Sequence, residues 1–133
     1  MFCLDTNIWS CLLRQPSAAL IRHLVACQSA DLCLTELIRA ELLYGALRSS
    51  RADHLTDRIE KLLAPYVRLP FGSAAAEHYA DIRTHLERAG TPISPNDLLI
   101  AATVRAAGST LVTANHREFS RIPGLRCEDW TSE

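Results

Sequence analysis

Three acidic residues that lie far apart in the sequence are candidates for joint chemistry. They are Asp5, Glu41 and Asp97. Carboxylates gathered at one place raise one another's pKa unless a cation neutralises them. Ligand sets made only of oxygen select hard cations, so Mg²⁺ is the predicted ion, with Mn²⁺ as a substitute. Such a site favours hydrolysis of a phosphodiester, because a divalent cation activates water and stabilises charge on the departing oxygen.

Two of these acids also have an ordinary structural role open to them. Asp5 follows the apolar run Phe2-Cys3-Leu4 and could simply cap the helix that begins near Asn7. Asp97 lies three residues after Ser94 and could complete a capping box. The residues alone leave both capping roles open beside the catalytic one.

Glu41 is the most informative of the three acids. In a helix over residues 36–48 it falls on the arc that we expect to face the core, together with Leu37, Ile38, Leu42, Tyr44 and Gly45. An unpaired buried carboxylate is costly, so Glu41 needs hydrogen-bond donors, a cation, or an arginine such as Arg39 or Arg48. The sequence does not choose between these partners.

The elements that would position the acids alternate between short apolar runs and longer amphipathic segments. The predicted strands are Phe2–Leu4, Leu32–Leu34, Tyr66–Leu69, Thr110–Thr113 and Leu125–Cys127. The predicted helices lie near 16–28, 36–48, 52–64, 73–89 and 96–107. This alternation predicts an α/β domain with a mostly parallel sheet, in which ligands bind beyond the carboxyl ends of the strands.

Helix boundaries carry recognisable signals. Gly90 and Gly108 lie where two helices should end, Ser73 could cap the fourth segment, and Ser94-Pro95 predicts a cap followed by proline at the first helical position.

Length and composition limit the alternatives. A chain of 133 residues with 48% hydrophobic residues predicts one globular domain over residues 1–133, and a net charge of −1 excludes a uniformly basic surface. The five cysteines have no metal-binding spacing, and Cys3 and Cys33 should be core residues. With no signal peptide and no apolar span, we expect a cytoplasmic protein without membrane contact.

Several other functions fit the residues poorly. A dehalogenase-like phosphatase would need an aspartate where this chain has Asn7, and a receiver domain would need a lysine at a strand end, whereas Lys61 is helical by prediction. His78, Asp81 and His85 share a helix face but should form a surface stripe rather than a metal site. Trp9, Tyr44 and Trp130 are expected to pack rather than to stack on bases.

The order of the acidic motifs resembles the PIN-domain nucleases, and among them the VapC-type toxins. Leu4-Asp5-Thr6-Asn7 is similar to the first motif of the family, and 40–46 (AELLYGA) to the second. Residues 91–97 (TPISPND) resemble the third, and 112–119 (VTANHREF) the carboxyl-terminal segment. The resemblance covers nearly the whole chain and implies an α/β/α sandwich.

The resemblance also implies roles for individual residues. Asp5 and Asp97 would bind Mg²⁺ directly, and Glu41 would bind it directly or through water. The fourth polar position of the family would fall to Asn115 or Glu118. Thr6, Asn7 and Thr113 would orient the carboxylates.

The implied activity is cleavage of single-stranded loops in structured RNA, frequently tRNA, by the toxin of a toxin–antitoxin pair. The implied partners are a cognate VapB-type antitoxin, whose carboxyl-terminal segment covers the active site, and a second copy of the chain in a homodimer. The alternative is a catalytically silent PIN-like module that uses the same acids to bind RNA or a protein.

Overall fold

The computed structural model describes residues 1–132; the last residue of the predicted domain, residue 133, lies outside this range. The strands are β1 (Phe2–Leu4), β2 (Leu32–Thr35), β3 (Val67–Leu69), β4 (Thr110–Val112) and β5 (Arg126–Glu128). The α-helices are α1 (Thr6–Leu13), α2 (Ala18–Val25), α3 (Glu36–Leu47), α4 (Ala52–Leu63), α5 (Ser73–Arg88), α6 (Pro95–Ala106) and α7 (His116–Phe119). A single 3₁₀ turn, Ser29–Asp31, precedes β2.

The five strands form one parallel sheet in the order β3-β2-β1-β4-β5. Parallel neighbours need crossover connections, and right-handed crossovers that run in opposite directions along a sheet place their helices on opposite faces. The connections from β1 through β2 to β3 run one way along the sheet, and those from β3 to β4 and from β4 to β5 run the other. The prediction of an α/β/α sandwich with a mostly parallel sheet is therefore confirmed.

Two predicted strands begin one residue too early because their first residues belong to turns. The amide of Tyr66 donates to the carbonyl of Leu63 at the end of α4, and the amide of Leu125 donates to the carbonyl of Ile122. Neither amide is available to a strand ladder. The structure places the strand starts at Val67 and Arg126.

The predicted helix boundaries lie within one residue of those in the structure, except for the segment predicted near 16–28, which is the shorter α2 (Ala18–Val25). Gly90 and Gly108 end their helices with φ of 73° and 67°, a region that glycine occupies without steric cost. The Ser94 hydroxyl accepts the amide of Asp97 at the start of α6. The prediction for Ser73 is wrong, because Gly72 occupies the cap position of α5 and Ser73 is the first helical residue.

The core lies on both faces of β1, β2 and β4. Cys3, Cys33 and Leu111 are fully buried at its centre, and the two cysteines are free thiols, as predicted for core residues. Trp9 and Trp130 are also buried, in agreement with the packing role predicted for them. Among residues 1–132, no helix combines the length and apolar character needed to cross a membrane.

The chain reverses its direction across the sheet between β1 and β4. Strands β2 and β3 lie on one side of β1, and β4 and β5 lie on the other. Open parallel sheets bind ligands at such a switch point, beyond the carboxyl ends of the two strands. The residues that follow β1 and β4 are Asp5 and Thr113.

Candidate active site

Asp5 lies at the carboxyl end of the central strand and is only 6% exposed. Its Oδ1 accepts the backbone amide of Thr6 at 2.8 Å, so the residue does cap α1. Its Oδ2 accepts the hydroxyl of Thr113 at 2.9 Å from the end of β4. The capping role and the place at the switch point are therefore compatible, because each oxygen of the carboxylate serves one of them.

Glu41 reaches the same crevice from the middle of α3. Its Oε2 accepts the hydroxyl of Thr6 at 2.9 Å, so one threonine lies between the first two acids. Neither proposed arginine partner contacts it. Arg39 donates to Glu36 and Glu60.

Arg48 lies at the carboxyl end of α3 with its guanidinium over the ring of Tyr44. Among the described residues, Glu41 thus has a hydroxyl donor in place of an arginine.

Asp97 lies in the first turn of α6, held by the Ser94 cap. The helix directs its buried face, which includes Ile100, Ala101 and Val104, against the sheet. The first turn extends to the crevice, where the negative charges of Asp5 and Glu118 act on Asp97. The cap is therefore Ser94 alone: among the described residues no backbone amide donates to the Asp97 carboxylate to complete the predicted capping box, and this carboxylate lies within the influence of the other acids.

The three acids share one electrostatic environment. Burial is the main cause that raises the pKa of each carboxyl. Repulsion from Asp5 and Asp97 raises the pKa of Glu41 further, and hydrogen bonds from Thr6, Thr113 and Ser94 oppose these effects. None of the ion pairs formed by residues 1–132 involves these acids. Their charges are neutralised by no side chain in the described part of the chain.

The carboxyl-terminal segment brings a second polar pair to this edge of the sheet. Asn115 donates its side-chain amide to Oε2 of Glu118 at 3.0 Å, and its backbone amide donates to the Thr113 hydroxyl at 3.0 Å. Through Thr113 this pair is connected to Asp5. Asn7, by contrast, is exposed on α1, and no described hydrogen bond joins it to an acid.

The donor set has the chemistry of a hard-cation site. The candidate ligands are carboxylate oxygens, while Cys3 and Cys33 are buried inside the sheet. No group of three or more His, Cys, Asp or Glu side chains within residues 1–132 is arranged so that it could hold a metal ion. Mg²⁺ keeps several of its waters and binds through as few as one or two carboxylates, so the pair Asp5 and Asp97 fits this ion.

The helix-face stripe of His78, Asp81 and His85 contributes to a hydrogen-bond network between two helices. Arg105 of α6 donates to Nδ1 of His78 at 2.8 Å, to Asp81 at 2.6 Å and to the carbonyl of Pro123 at 2.8 Å. Two of the three residues of the predicted surface stripe are thus joined to an arginine, and the stripe fastens α5 to α6.

The prediction that Tyr44 packs in the core is wrong. Its side chain is 63% exposed, and Gly45 is exposed beside it. The buried residues of α3 are Ile38, Leu42 and Ala46. Glu41 therefore lies at the edge of the buried arc rather than at its centre. Helix α3 is apolar around much of its circumference, so its sequence pattern did not identify the buried face.

A groove runs away from Glu41 between α1, α3 and α4. Its volume is about 180 Å³; its polar lining residues are Thr6, Ser10, Arg14 and Glu41, and its apolar lining includes Leu42 and Ile59. The sequence patterns did not reveal this groove, because it depends on how three separate helices pack.

The sequence and the fold are both similar to those of known proteins. The PIN domain family matches residues 2–125. The tRNA(fMet)-specific endonuclease VapC of Shigella flexneri is 36% identical over 98% of both chains. Among solved structures, VapBC2 of Rickettsia felis bound to a promoter DNA fragment is 31% identical with a TM-score of 0.89, covering 97% of this chain and 98% of the other. DNA-bound VapBC of Salmonella typhimurium is 35% identical with a TM-score of 0.87, covering 97% of each chain.

Proposed function

Because the chain belongs to the PIN domain family and is similar to VapC ribonucleases over nearly its whole length, we propose that it is a metal-dependent endoribonuclease. It acts as the toxin of a toxin–antitoxin pair. Its substrate is a structured RNA with a single-stranded loop, and a tRNA is the leading class, as the name of the Shigella relative indicates for that protein. The whole chain, 1–133, forms the nuclease domain.

One observation carries this proposal. Asp5 and Asp97 both repel the charge of Glu41, Asp5 also repels that of Asp97, burial raises the pKa of all three carboxyls, and no described arginine, lysine or histidine forms an ion pair with them. Three ionised carboxylates in this arrangement repel one another, and a bound divalent cation would remove that repulsion.

Asp5 and Asp97 would hold Mg²⁺, or Mn²⁺ in its place. When bound, the ion supplies Lewis-acid chemistry to a phosphodiester and its attacking water. Asp5 is preorganised for this task, because hydrogen bonds from Thr6 and Thr113 fix both of its oxygens. Fixed carboxylates lose little freedom when a cation binds.

Glu41 would accept the proton of the attacking water or hold that water in place. Thr6 supports Glu41 by donating to Oε2. Asn115 and Glu118 would complete the site at the β4 edge; the hydrogen bonds from Asn115 to Glu118 and to Thr113, the partner of Asp5, support this assignment. Asn7 would contribute from the exposed side of α1 by orienting the substrate or its water.

The groove between α1, α3 and α4 suits the antitoxin. Its lining combines apolar side chains with Thr6, Ser10, Arg14 and Glu41, so a peptide segment of a VapB-type antitoxin bound there would contact one of the catalytic acids. The related VapBC structures contain toxin and antitoxin together. We extend the proposal to a homodimer that acts in the cytoplasm.

The proposal is tested by incubating the purified protein with total cellular RNA and mapping the new 5′ ends. Mg²⁺ should support cleavage at a small number of loop positions, EDTA should abolish it, and added Mn²⁺ should restore it. Undiminished cleavage in EDTA would show that no divalent cation is needed.

Substitutions distinguish the proposed ribonuclease from the alternative, a catalytically silent binding module. Glu41→Gln should fold and bind RNA but lose nearly all cleavage, and Asp97→Asn should weaken Mn²⁺ binding in calorimetry. Asp53→Asn is the matched control, since Asp53 also lies in the first turn of a helix, α4. If the intact protein binds RNA yet never cuts it in any divalent cation, the silent module is the correct description.

A further inference from the structure

The exposed side of α3 presents an aromatic ring one turn beyond Glu41. Tyr44 is 63% exposed, and no hydrogen bond of the described residues uses its hydroxyl. Residues three apart on a helix are surface neighbours, so Tyr44 occupies the position adjacent to Glu41, the acid that we place in the reaction, on the surface of α3. A tyrosine that contributes so little to the core is available to a ligand.

A positive charge accompanies this ring. The guanidinium carbon of Arg48 lies 5.4 Å from the centroid of Tyr44. Arg48 is exposed and forms no ion pair within residues 1–132. The pair therefore offers a flat apolar surface and an uncompensated cation at the same place.

A second tyrosine–arginine pair in the same molecule shows the contrast. Arg83 lies 6.0 Å from the ring of Tyr79, with the same spacing of four residues. Here the guanidinium is neutralised by Glu87 at 2.8 Å and donates to the Tyr79 hydroxyl at 3.1 Å. Tyr79 also packs against the core. The guanidinium of Arg83 therefore has hydrogen-bond and ion-pair partners within the protein, whereas no described hydrogen bond or ion pair is formed by that of Arg48.

We infer that Tyr44 and Arg48 bind a nucleotide of single-stranded RNA next to the phosphate that is cut. The base stacks on the ring of Tyr44, and the guanidinium of Arg48 pairs with a phosphate. Aromatic rings accept any base, and arginine forks match phosphate oxygens. The inference rests on the proposed ribonuclease function and adds a substrate-binding element to it.

The chemistry of the occupant follows from charge. The catalytic acids repel a polyanion, so an RNA strand entering the crevice needs positive charge close by. Arg48 supplies it one turn from Tyr44 and two turns from Glu41 on the same helix. A stacked base would in turn hold the strand in register while the adjacent phosphate lies at the acids.

Binding of a short fluorescein-labelled single-stranded RNA to Glu41→Gln protein, followed by anisotropy, tests the inference without cleavage. Adding Tyr44→Ala should weaken binding by about 10-fold or more, and Tyr44→Trp should preserve it. Adding Arg48→Ala should weaken binding and reduce the slope of log affinity against log salt by roughly 0.7. Unchanged affinity in the Tyr44→Ala protein would overturn the inference.

Two matched controls distinguish base stacking at Tyr44 from a general loss of apolar surface or of positive charge. Leu47→Ala removes an apolar side chain that is 69% exposed on the same helix, and Arg83→Ala removes the guanidinium of the second pair. Both should bind RNA like the parent. If Tyr44→Ala and Leu47→Ala weaken binding equally and lower the mass measured by light scattering, the surface is a contact between two copies and the inference is wrong. Failure of the wild-type protein to cut RNA would count against the proposed function alone.

Discussion

Thr113 and Asp5 are separated by 108 residues in sequence, yet a hydroxyl–carboxylate hydrogen bond of 2.9 Å joins them. The threonine is fully buried at the end of β4, and its oxygen also accepts the amide of Asn115. One side chain thus fixes an oxygen of Asp5 and the start of the segment that carries Asn115 and Glu118.

Removing this hydroxyl should loosen the metal site. Thr113→Val keeps the shape of the side chain but leaves Oδ2 of Asp5 without its donor, so we expect Mn²⁺ affinity and RNA cleavage to fall by about 10- to 100-fold. Thr113→Ser retains the hydroxyl and should stay close to wild type. Equal activity of the valine and serine variants would show that the hydrogen bond does not orient Asp5.

Glu41 should reduce the stability of the protein when no metal is bound. Burial and the neighbouring acids raise the pKa of its carboxyl, so ionisation costs stability as pH rises from the ordinary pKa through the raised one. At neutral pH in EDTA, Glu41→Gln should therefore raise the melting temperature by about 2–5 °C. The gain should shrink as pH falls and vanish near about pH 3, where the glutamate is protonated in both the folded and the unfolded state.

The exposed Glu77 of α5 provides the control for this measurement. Glu77→Gln should leave the melting temperature unchanged across the same pH range, because this side chain lies in solvent. A melting temperature of Glu41→Gln equal to that of wild type at neutral pH in EDTA would contradict the repulsion among the three acids.

At the scale of elements, two serine caps allow stability and function to be separated. Ser94 caps α6 by accepting the amide of Asp97, and Ser17 caps α2 by accepting the amide of Leu20. Ser94→Ala and Ser17→Ala should each cost about 1 kcal/mol in urea unfolding. Only Ser94→Ala should also lower cleavage, since Asp97 lies in the turn that it caps. Equal cleavage activity of the two variants would show that the Ser94 cap has no effect on catalysis.

Local signals made most of the elements predictable. The strand over Phe2–Leu4 was placed correctly because an apolar run ends at an acid, and α6 was found from Ser94-Pro95. Asp5 could be assigned to the ligand-binding edge of the sheet because it directly follows the parallel strand β1.

The contacts that complete the site were not predictable in the same way. The pairing of Glu41 with Thr6 depends on how α1 packs against α3, and the exposure of Tyr44 depends on which face of α3 that packing covers. Both are long-range outcomes that local periodicity does not encode.

At the scale of the molecule, Arg105 connects three parts of the fold. Its guanidinium joins His78 and Asp81 of α5 to α6 and to the carbonyl of Pro123 in the segment before β5. The side chain is mostly buried, so its hydrogen bonds are partly shielded from water. The network lies at the opposite end of α6 from Asp97.

Loss of this network should affect stability and leave the chemistry intact. Arg105→Ala should lower the free energy of unfolding by about 1–3 kcal/mol, because carbonyl, carboxylate and imidazole acceptors lose their donor. Cleavage per folded molecule should stay near wild type. Arg83→Ala, which removes an exposed ion pair with Glu87, should leave the free energy of unfolding close to that of wild type. A loss of turnover in Arg105→Ala at a temperature where it is fully folded would refute this separation.

The position of β4 beside β1 also has a consequence for synthesis of the chain. The groove beside Glu41 is lined by residues between Thr6 and Ile59, which leave the ribosome first. Asp97 and Thr113 follow much later, so the nuclease centre cannot assemble until β4 has been translated and has paired with β1. The residues of the groove assigned to the antitoxin are therefore synthesised before the nuclease activity that the antitoxin would inhibit can appear.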